Sequence, residues 1–389
     1  MNRVKLGDFI EQYGDGIHGT PNYDDNGTYY FVNGNNLING KIQITDETLK
    51  VIEEEYEKIK RPLSDNTLLL SINGTLGRVA VYNGEKIALG KSACYLNVKN
   101  DKNKYFVKGV LNTQEFQKYI QLVAHGSTIK NLAPSQVVEY EFNAPDEKVQ
   151  EKIASLLKLI DDKIDNNNEI NTQLEAMAKT LYDYWFLQFD FPDEKGKPYK
   201  SSGGKMVWNE ELKREIPDGW ETGVFADFFD IGNGKDHKNL QDGVVPVYGS
   251  GGIMRYVDKE LYHGESVLIP RKGTLNNIIY IKDHFWTVDT MYYTKMKKEN
   301  AAIFMYYTVK QYDFEKMNTG TGVPSMTASI IYNLKTVIPK LDILKQFDNK
   351  VQSIYNMIRQ NQKQNKELAS LRDFVLPLLM NGQVGFKEH

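Results

Sequence analysis

The stretch from Ile153 to Trp185 reads IASLLKLIDDKIDNNNEINTQLEAMAKTLYDYW. Apolar residues recur along it at alternating steps of four and three: Ile153, Leu157, Ile160, Ile164, then Leu174, Ala178, Leu181 and Trp185. Asn167 and Asn171 fill the two central places of the series. Steps averaging about 3.5 residues keep one stripe of a helix turned toward a partner helix, the pattern of a coiled coil. Shifted by 194 positions, the same series returns as Phe347, Val351, Ile354, Ile358, Asn361, Asn365, Leu368, Arg372, Val375 and Leu379. An Asn in such a seam costs stability but fixes register, because mismatched pairing strands its amide among apolar side chains. Asn167, Asn171, Asn361 and Asn365 are therefore the expected register residues.

The start signals repeat as well. Pro145-Asp146 and Pro339-Lys340-Leu341-Asp342 precede the two helices, with Asp146 and Asp342 as expected N-caps. Pro377 and Gly382 predict a kink and a stop at the end of the second helix. Residues 189–217 hold Pro192, Gly196, Pro198, Gly203, Gly204 and Pro217, and read as a turn-rich connector. A block of mixed strands and short helices precedes each long helix. Expected strands are Tyr29–Val32, Leu68–Ile72, Val244–Tyr248 and Ser266–Ile269; expected helices are Glu47–Ile59, Lys104–Ala124 and Ala301–Tyr312. The order block, helix, block, helix lets the helices pair antiparallel within one chain. The expected fold class is α+β: two mixed α/β blocks, two long antiparallel helices in a coiled coil, and a pseudo-twofold internal repeat.

Composition narrows the function. The 389 residues suit two or three domains at about 150 each. Lys plus Arg number 48 against 51 Asp plus Glu, a formal net charge of -3, so no basic coat covers the chain. One cysteine, Cys94, excludes a disulfide framework and a multi-thiolate zinc site. The histidines His18, His125, His237, His263, His284 and His389 make no metal-spaced pair. The first residues hold no apolar signal core, and no run reaches the roughly 18 apolar residues of a membrane span. The expectation is a soluble, cytoplasmic protein with a reduced thiol and no membrane partner.

Catalytic motifs fail in turn. Gly84–Ser92 resembles a phosphate loop but has five residues between its glycines where four are needed, and it lies between strands. Gly232-Asn233-Gly234 and Gly320-Thr321-Gly322 lack the third glycine of a dinucleotide fingerprint. Asp146-Glu147-Lys148 and Asp193-Glu194-Lys195 put acids beside a lysine, which suits capping better than converging metal ligands. No Pro-Pro pair supports a base-holding methyltransferase loop, and no Gly-x-Ser-x-Gly elbow occurs.

What remains suits the reading of a surface. In the first block the candidates are His18, Thr20 and Asn22, then Asn35, then Asn73, Thr75 and Arg78, then Ser127, Lys130 and Asn131. In the second they are Lys235, His237 and Lys238, then Ser250, then Arg271, Lys272 and Asn276, then Thr319, Thr321 and Ser325. Such side chains on glycine-rich loops bond phosphates, and Asn and Arg can also read base edges bidentately. Each loop alone is an ordinary turn; the weight lies in their recurrence in both blocks. From the residues alone a second reading stands beside this one, an adaptor that binds protein or glycan partners.

Several stretches together carry a family likeness: LYDYWF at 181–186 with Phe191-Pro192, GKPYKSSGG at 196–204, EIPDGW at 215–220, FVNGNNL at 31–37 and LRDFVLPLLMNG at 371–382. With these the chain resembles the DNA-sequence specificity subunit of type I restriction–modification systems. The resemblance implies target-recognition domains at 1–145 and 218–340, spacer helices at 146–188 and 341–381, a linker at 189–217 and a tail at 382–389. It implies a non-catalytic subunit that reads a bipartite double-stranded DNA target, one half per domain, across a gap set by the helices. It also implies two methyltransferase subunits and restriction/translocase subunits as partners. S-adenosylmethionine, ATP and Mg would belong to those partners, with no cofactor in this chain.

Overall fold

The computed structural model describes residues 2–126, 129–318, 320 and 322–386. The chain forms two compact units. The first contains residues up to Asn167 and those from Gln362 on; the second runs from Asn168 to Asn361.

The two seam stretches are helical from Glu147 to Tyr182 and from Leu341 to Met380, 36 and 40 residues long. At 1.5 Å per residue these are rods of about 54 and 60 Å. Asp146 caps the first, its Oδ1 accepting the Val149 N–H at 3.0 Å. Asp342 does not cap the second. The helix opens at Leu341, two residues before the start that an Asp342 cap would give, so Lys340 holds the cap position and its carbonyl accepts from Ile343 and Leu344. Asp342 falls in the first turn, where its charge still suits the helix N-terminus. Pro377 lies inside the helix, which runs on to Met380. Leu376, Leu379 and Met380 are buried and hold the last turn against the missing hydrogen bond. The stop comes at Gly382, whose φ of 65° permits the bonds Gly382 N–H to Leu379 and Gln383 N–H to Leu378.

Within the first unit Asn167 Nδ2 donates to Asn365 Oδ1 and to Gln364 Oε1, each at 2.8 Å. Asp161 accepts from Arg372 at 3.1 Å and from Lys108 at 2.8 Å. Within the second unit Asn361 Nδ2 donates to Asn171 Oδ1 at 2.9 Å, and the Trp185 and Phe347 rings lie 5.8 Å apart. In both units rising numbers on one helix meet falling numbers on the other, so the helices run antiparallel there. The first Asn of each helix meets the second Asn of the other. Past Tyr182 the first helix widens into a π-turn at Asp183–Leu187. The extra residue in that turn lets neighbours Trp185 and Phe186 both enter the core.

The blocks build the same frame. In the first unit a sheet runs in the order Ile10–Asp15, Ala93–Val98, Thr67–Ser71, Val79–Val81. In the second unit the order Phe229–Asn233, Met291–Met296, Tyr262–Pro270, Ile279–Thr287 repeats it. There Asp242–Gly249 and Gly252–Val257 extend the same sheet. Their counterparts in the first unit, Tyr29–Val32 and Lys50–Val51, form a separate sheet with Ile87–Leu89. The central strands are almost wholly buried, as continuous apolar runs such as TLLLS and ACYLNV require.

Three expected elements differ. The helix expected at 104–124 is broken into Lys104–Leu111 and Gln114–Val123, because Thr113 caps the second by accepting the Phe116 N–H. The helix expected from residue 47 begins at Glu53, since Lys50–Val51 pairs with Tyr29 and Tyr30 as a strand. The supposed connector is packed. Phe189, Phe191 and Ile216 lie in the core of the second unit with Trp220, and Met206–Asn209 pairs with Arg214–Pro217. Asp190 anchors its turn by accepting from the Ser201 N–H and Oγ–H. Its glycines and prolines signalled turns correctly; the aromatics between them decide that the turns fold back onto the core.

Candidate nucleic-acid interface

In the first unit three strand ends and two loops converge. The Ile17 N–H donates to the Leu89 carbonyl at 2.8 Å, and Gly90 N–H to Val32 at 2.9 Å. Ile72 N–H donates to Ser92 at 3.0 Å, Gly74 N–H to Lys130 at 3.1 Å, and Leu132 N–H to Ile72 at 2.8 Å. These bonds join the loops that carry His18 and Thr20, Asn35, Asn73 and Thr75, and Lys130 and Asn131. Asn73 and Asn131 form a bridge, and their side-chain amides meet at 3.5 Å.

The second unit repeats all five bonds. Lys235 N–H donates to Thr287, Val288 to Tyr248, Arg271 to Thr290, Gly273 to Pro324 and Met326 to Arg271, at 2.8–3.0 Å. Lys272 and Ser325 form the bridge that Asn73 and Asn131 form in the first. Gly74 and Gly273, both with positive φ near 72° and 85°, turn the chain at the same place. The loops of Lys235, His237, Lys238, Ser250, Arg271, Lys272 and Ser325 thus meet around one frame.

That frame holds a cavity of about 660 Å³ lined by His237, Lys238, Ser250, Met254, Asp289 and Thr290, among others. Among the described residues, His237 Nδ1 is buried without a hydrogen-bond partner, and so is Thr287 Oγ1. The Arg271 guanidinium lies 5.8 Å from the centre of the Tyr292 ring. Burial pushes the Tyr248 phenol up to about 12, so it remains a neutral donor.

The frame demands glycine where the chain passes over the parallel strand pair. A Cβ on Gly16 would stand 2.2 Å from the Leu89 carbonyl oxygen, and one on Gly234 would stand 1.9 Å from that of Val288. Backbone cannot yield there as a side chain could. Gly234→Ala should destabilise the protein by about 1–3 kcal/mol, read as a lower urea midpoint; an unchanged midpoint would show that the loop moves freely.

Not every candidate joins a frame with its side chain free. Asn22 is held by Glu55, which accepts its backbone N–H at 3.0 Å, and His18 contacts Asp15 at 2.7 Å. Asn276 uses its amide within the fold, donating to Asp313 and accepting the Phe314 N–H. Thr75 and Arg78 are exposed on the turn after Asn73. Ser127, Thr319 and Thr321 lie outside the described residues. Sequence reasoning missed Lys91, Ser92, Asp289 and Thr290. The first two end the Gly84–Ser92 run, whose glycines resemble a phosphate loop. The acids weighed as metal ligands serve local structure, Asp146 as a cap and Asp193 in a turn with Lys195 and Lys197. Among the described residues no group of three His, Cys, Asp or Glu is placed to hold a metal ion, and no helix is long and apolar enough to cross a membrane.

A family model described as the type I restriction modification DNA specificity domain matches residues 1–176 and 217–369. The type I restriction enzyme MjaIX specificity subunit of Methanocaldococcus jannaschii is 26% identical, over 90% of this chain and 84% of its own length. The HindI specificity subunit of Haemophilus influenzae is 22% identical, over 71% of this chain and 76% of its own. The crystal structure of the S subunit of a type I restriction–modification system from M. genitalium shares the fold. Its TM-score is 0.56 at 18% identity, covering the whole of this chain and 96% of that one.

Proposed function

This chain belongs to the type I restriction–modification DNA specificity family, and from that premise we propose that its two loop frames are reading heads for the two halves of a split DNA target. The observation that carries the reading is the doubled frame. Five backbone bonds recur in the same order in both units, while the exposed side chains they display differ. A fixed scaffold with variable polar loops suits sequence readout, since backbone geometry positions and side chains specify.

In this reading the long helices form a coiled coil of pseudo-twofold character, and its length sets the unread gap. The Asn167–Asn365 and Asn171–Asn361 pairs hold its register, as a slip of one heptad would leave amides facing apolar groups. The chain itself carries no reaction. It docks methyltransferase and restriction subunits, which bring S-adenosylmethionine, ATP and Mg. A net charge of -3 fits a division of labour in which partners supply part of the phosphate contact.

The test is selection of bound duplexes from a randomised library, using the full chain with its methyltransferase subunits. Two short sequence blocks at a constant spacing are expected. A folded chain that enriches no sequence would return the adaptor reading. Arg271→Ala should lose about 1–3 kcal/mol on the selected target and relax one base position, because a guanidinium beside the Tyr292 ring can bond a base edge bidentately. Lys272→Ala should weaken all sequences alike and reduce the salt slope by about 1.

A further inference from the structure

We propose that Asp289 and Lys91 are matched base readers of opposite polarity. Asp289 accepts a hydrogen bond from the exocyclic amine of cytosine or adenine in one half-site, and Lys91 donates to guanine in the other. The inference deepens the DNA-recognition reading and rests on it.

The equivalence comes from the backbone. The Ser92 and Thr290 carbonyls each accept the N–H that opens the turn at Ile72 and Arg271. Gly90 and Val288 each donate to the parallel neighbour strand, at Val32 and Tyr248. The residue between these two anchors is Lys91 in the first unit and Asp289 in the second. Anchored on both sides, each stands at the same point of its frame, beside the turn of Asn73 or Lys272. Both side chains are exposed, and neither has an ion pair or hydrogen bond among the described residues.

The charges therefore differ in sign at one structural position. An unpaired carboxylate facing DNA is repelled by phosphate, so Asp289 weakens non-specific binding where Lys235, Lys238 and Lys272 favour it. That loss is recovered only where the carboxylate meets a donor. In the major groove the donors are cytosine N4 and adenine N6. Asp289 lines the cavity with Ser250 and Thr290, so a base edge can approach it without meeting a filled surface. Lys91 has the reverse requirement, and guanine O6 and N7 meet it.

The experiment is duplex selection with the full chain and its methyltransferase subunits, comparing the original protein with Asp289→Lys, Asp289→Asn and Lys91→Asp. Asp289→Lys should replace one cytosine or adenine by guanine in one block only, with a switch in preference of about tenfold. Asp289→Asn, which keeps the size of the side chain, should shift the same position toward adenine. Lys91→Asp should change guanine to cytosine or adenine in the other block. Variants that bind with every base preference unchanged would overturn the proposal, and so would a uniform loss across all sequences. An original protein that selects no motif would instead overturn the DNA-recognition reading itself.

Discussion

Deleting residues 164–170 together with 362–368 should bring the two half-sites of the methylated target about three base pairs closer. Each deletion removes one heptad, about 10 Å of helix at 1.5 Å per residue, and base pairs rise about 3.4 Å each. The cut takes out the Asn167–Asn365 pair and keeps the Asn171–Asn361 pair. It also preserves the seam, since Ile160 then stands four residues before Asn171, and Asn361 four before Arg372. The former target should no longer be methylated. Methylation sequencing of DNA exposed to the assembled variant reads the outcome directly. The same gap after the deletion would mean that the helices do not set it.

Asp161→Ala should destabilise the first unit by about 2–4 kcal/mol. Asp161 joins the two long helices and a third, accepting from Arg372 at 3.1 Å and Lys108 at 2.8 Å. The side chains of Lys108, Asp161 and Arg372 are only 13%, 19% and 34% exposed. Without the carboxylate, Lys108 loses its partner in a half-dry site while Arg372 keeps Asp373 at 3.1 Å; breaking a fully buried pair costs about 3–5 kcal/mol, and partial exposure reduces that here. Adding Arg372→Leu should return part of the loss, because position 372 belongs to the apolar seam. Urea unfolding of the single and double variants measures both. A loss below about 0.5 kcal/mol for the single variant would mean that solvent screens the cluster. The equivalent place in the second unit is built differently: there the Tyr355 and Tyr307 hydroxyls meet at 3.1 Å.

The long helices were legible because their signal is periodic and local. A step of 3.5 residues needs no knowledge of the partner, and two Asn at equal places in both copies already named the layers that pair. Strands such as Tyr29–Val32 were legible as apolar runs between turn residues. Capping was only half legible. Asp146 caps and Asp342 does not, since the repeat of 194 residues puts Lys340 at the place of Asp146 and leaves Asp342 two residues further on, inside the first turn. Among the site residues, the loops of Asn73, Lys130, Asn131, Lys272 and Ser325 were found by composition and do adjoin. Asn276 was of the right type, but its amide is spent on Asp313 and Phe314.

By itself the sequence determined a paired-helix frame carrying two similar blocks, because helix geometry imprints a repeat on any chain that buries one face. The likeness of Ser71–Tyr82 to Ile269–Tyr280 was legible too, but only the tertiary structure decided which loops meet and fixed the correspondence residue by residue. Copies of the helices lie 194 residues apart, but Gly74 corresponds to Gly273 and Gly16 to Gly234, so no single shift aligns the loops. Insertions change loop spacing at little energetic cost, whereas strand pairing fixes which backbone groups must bond. That pairing set Lys91 against Asp289, a correspondence that no spacing in the chain displays.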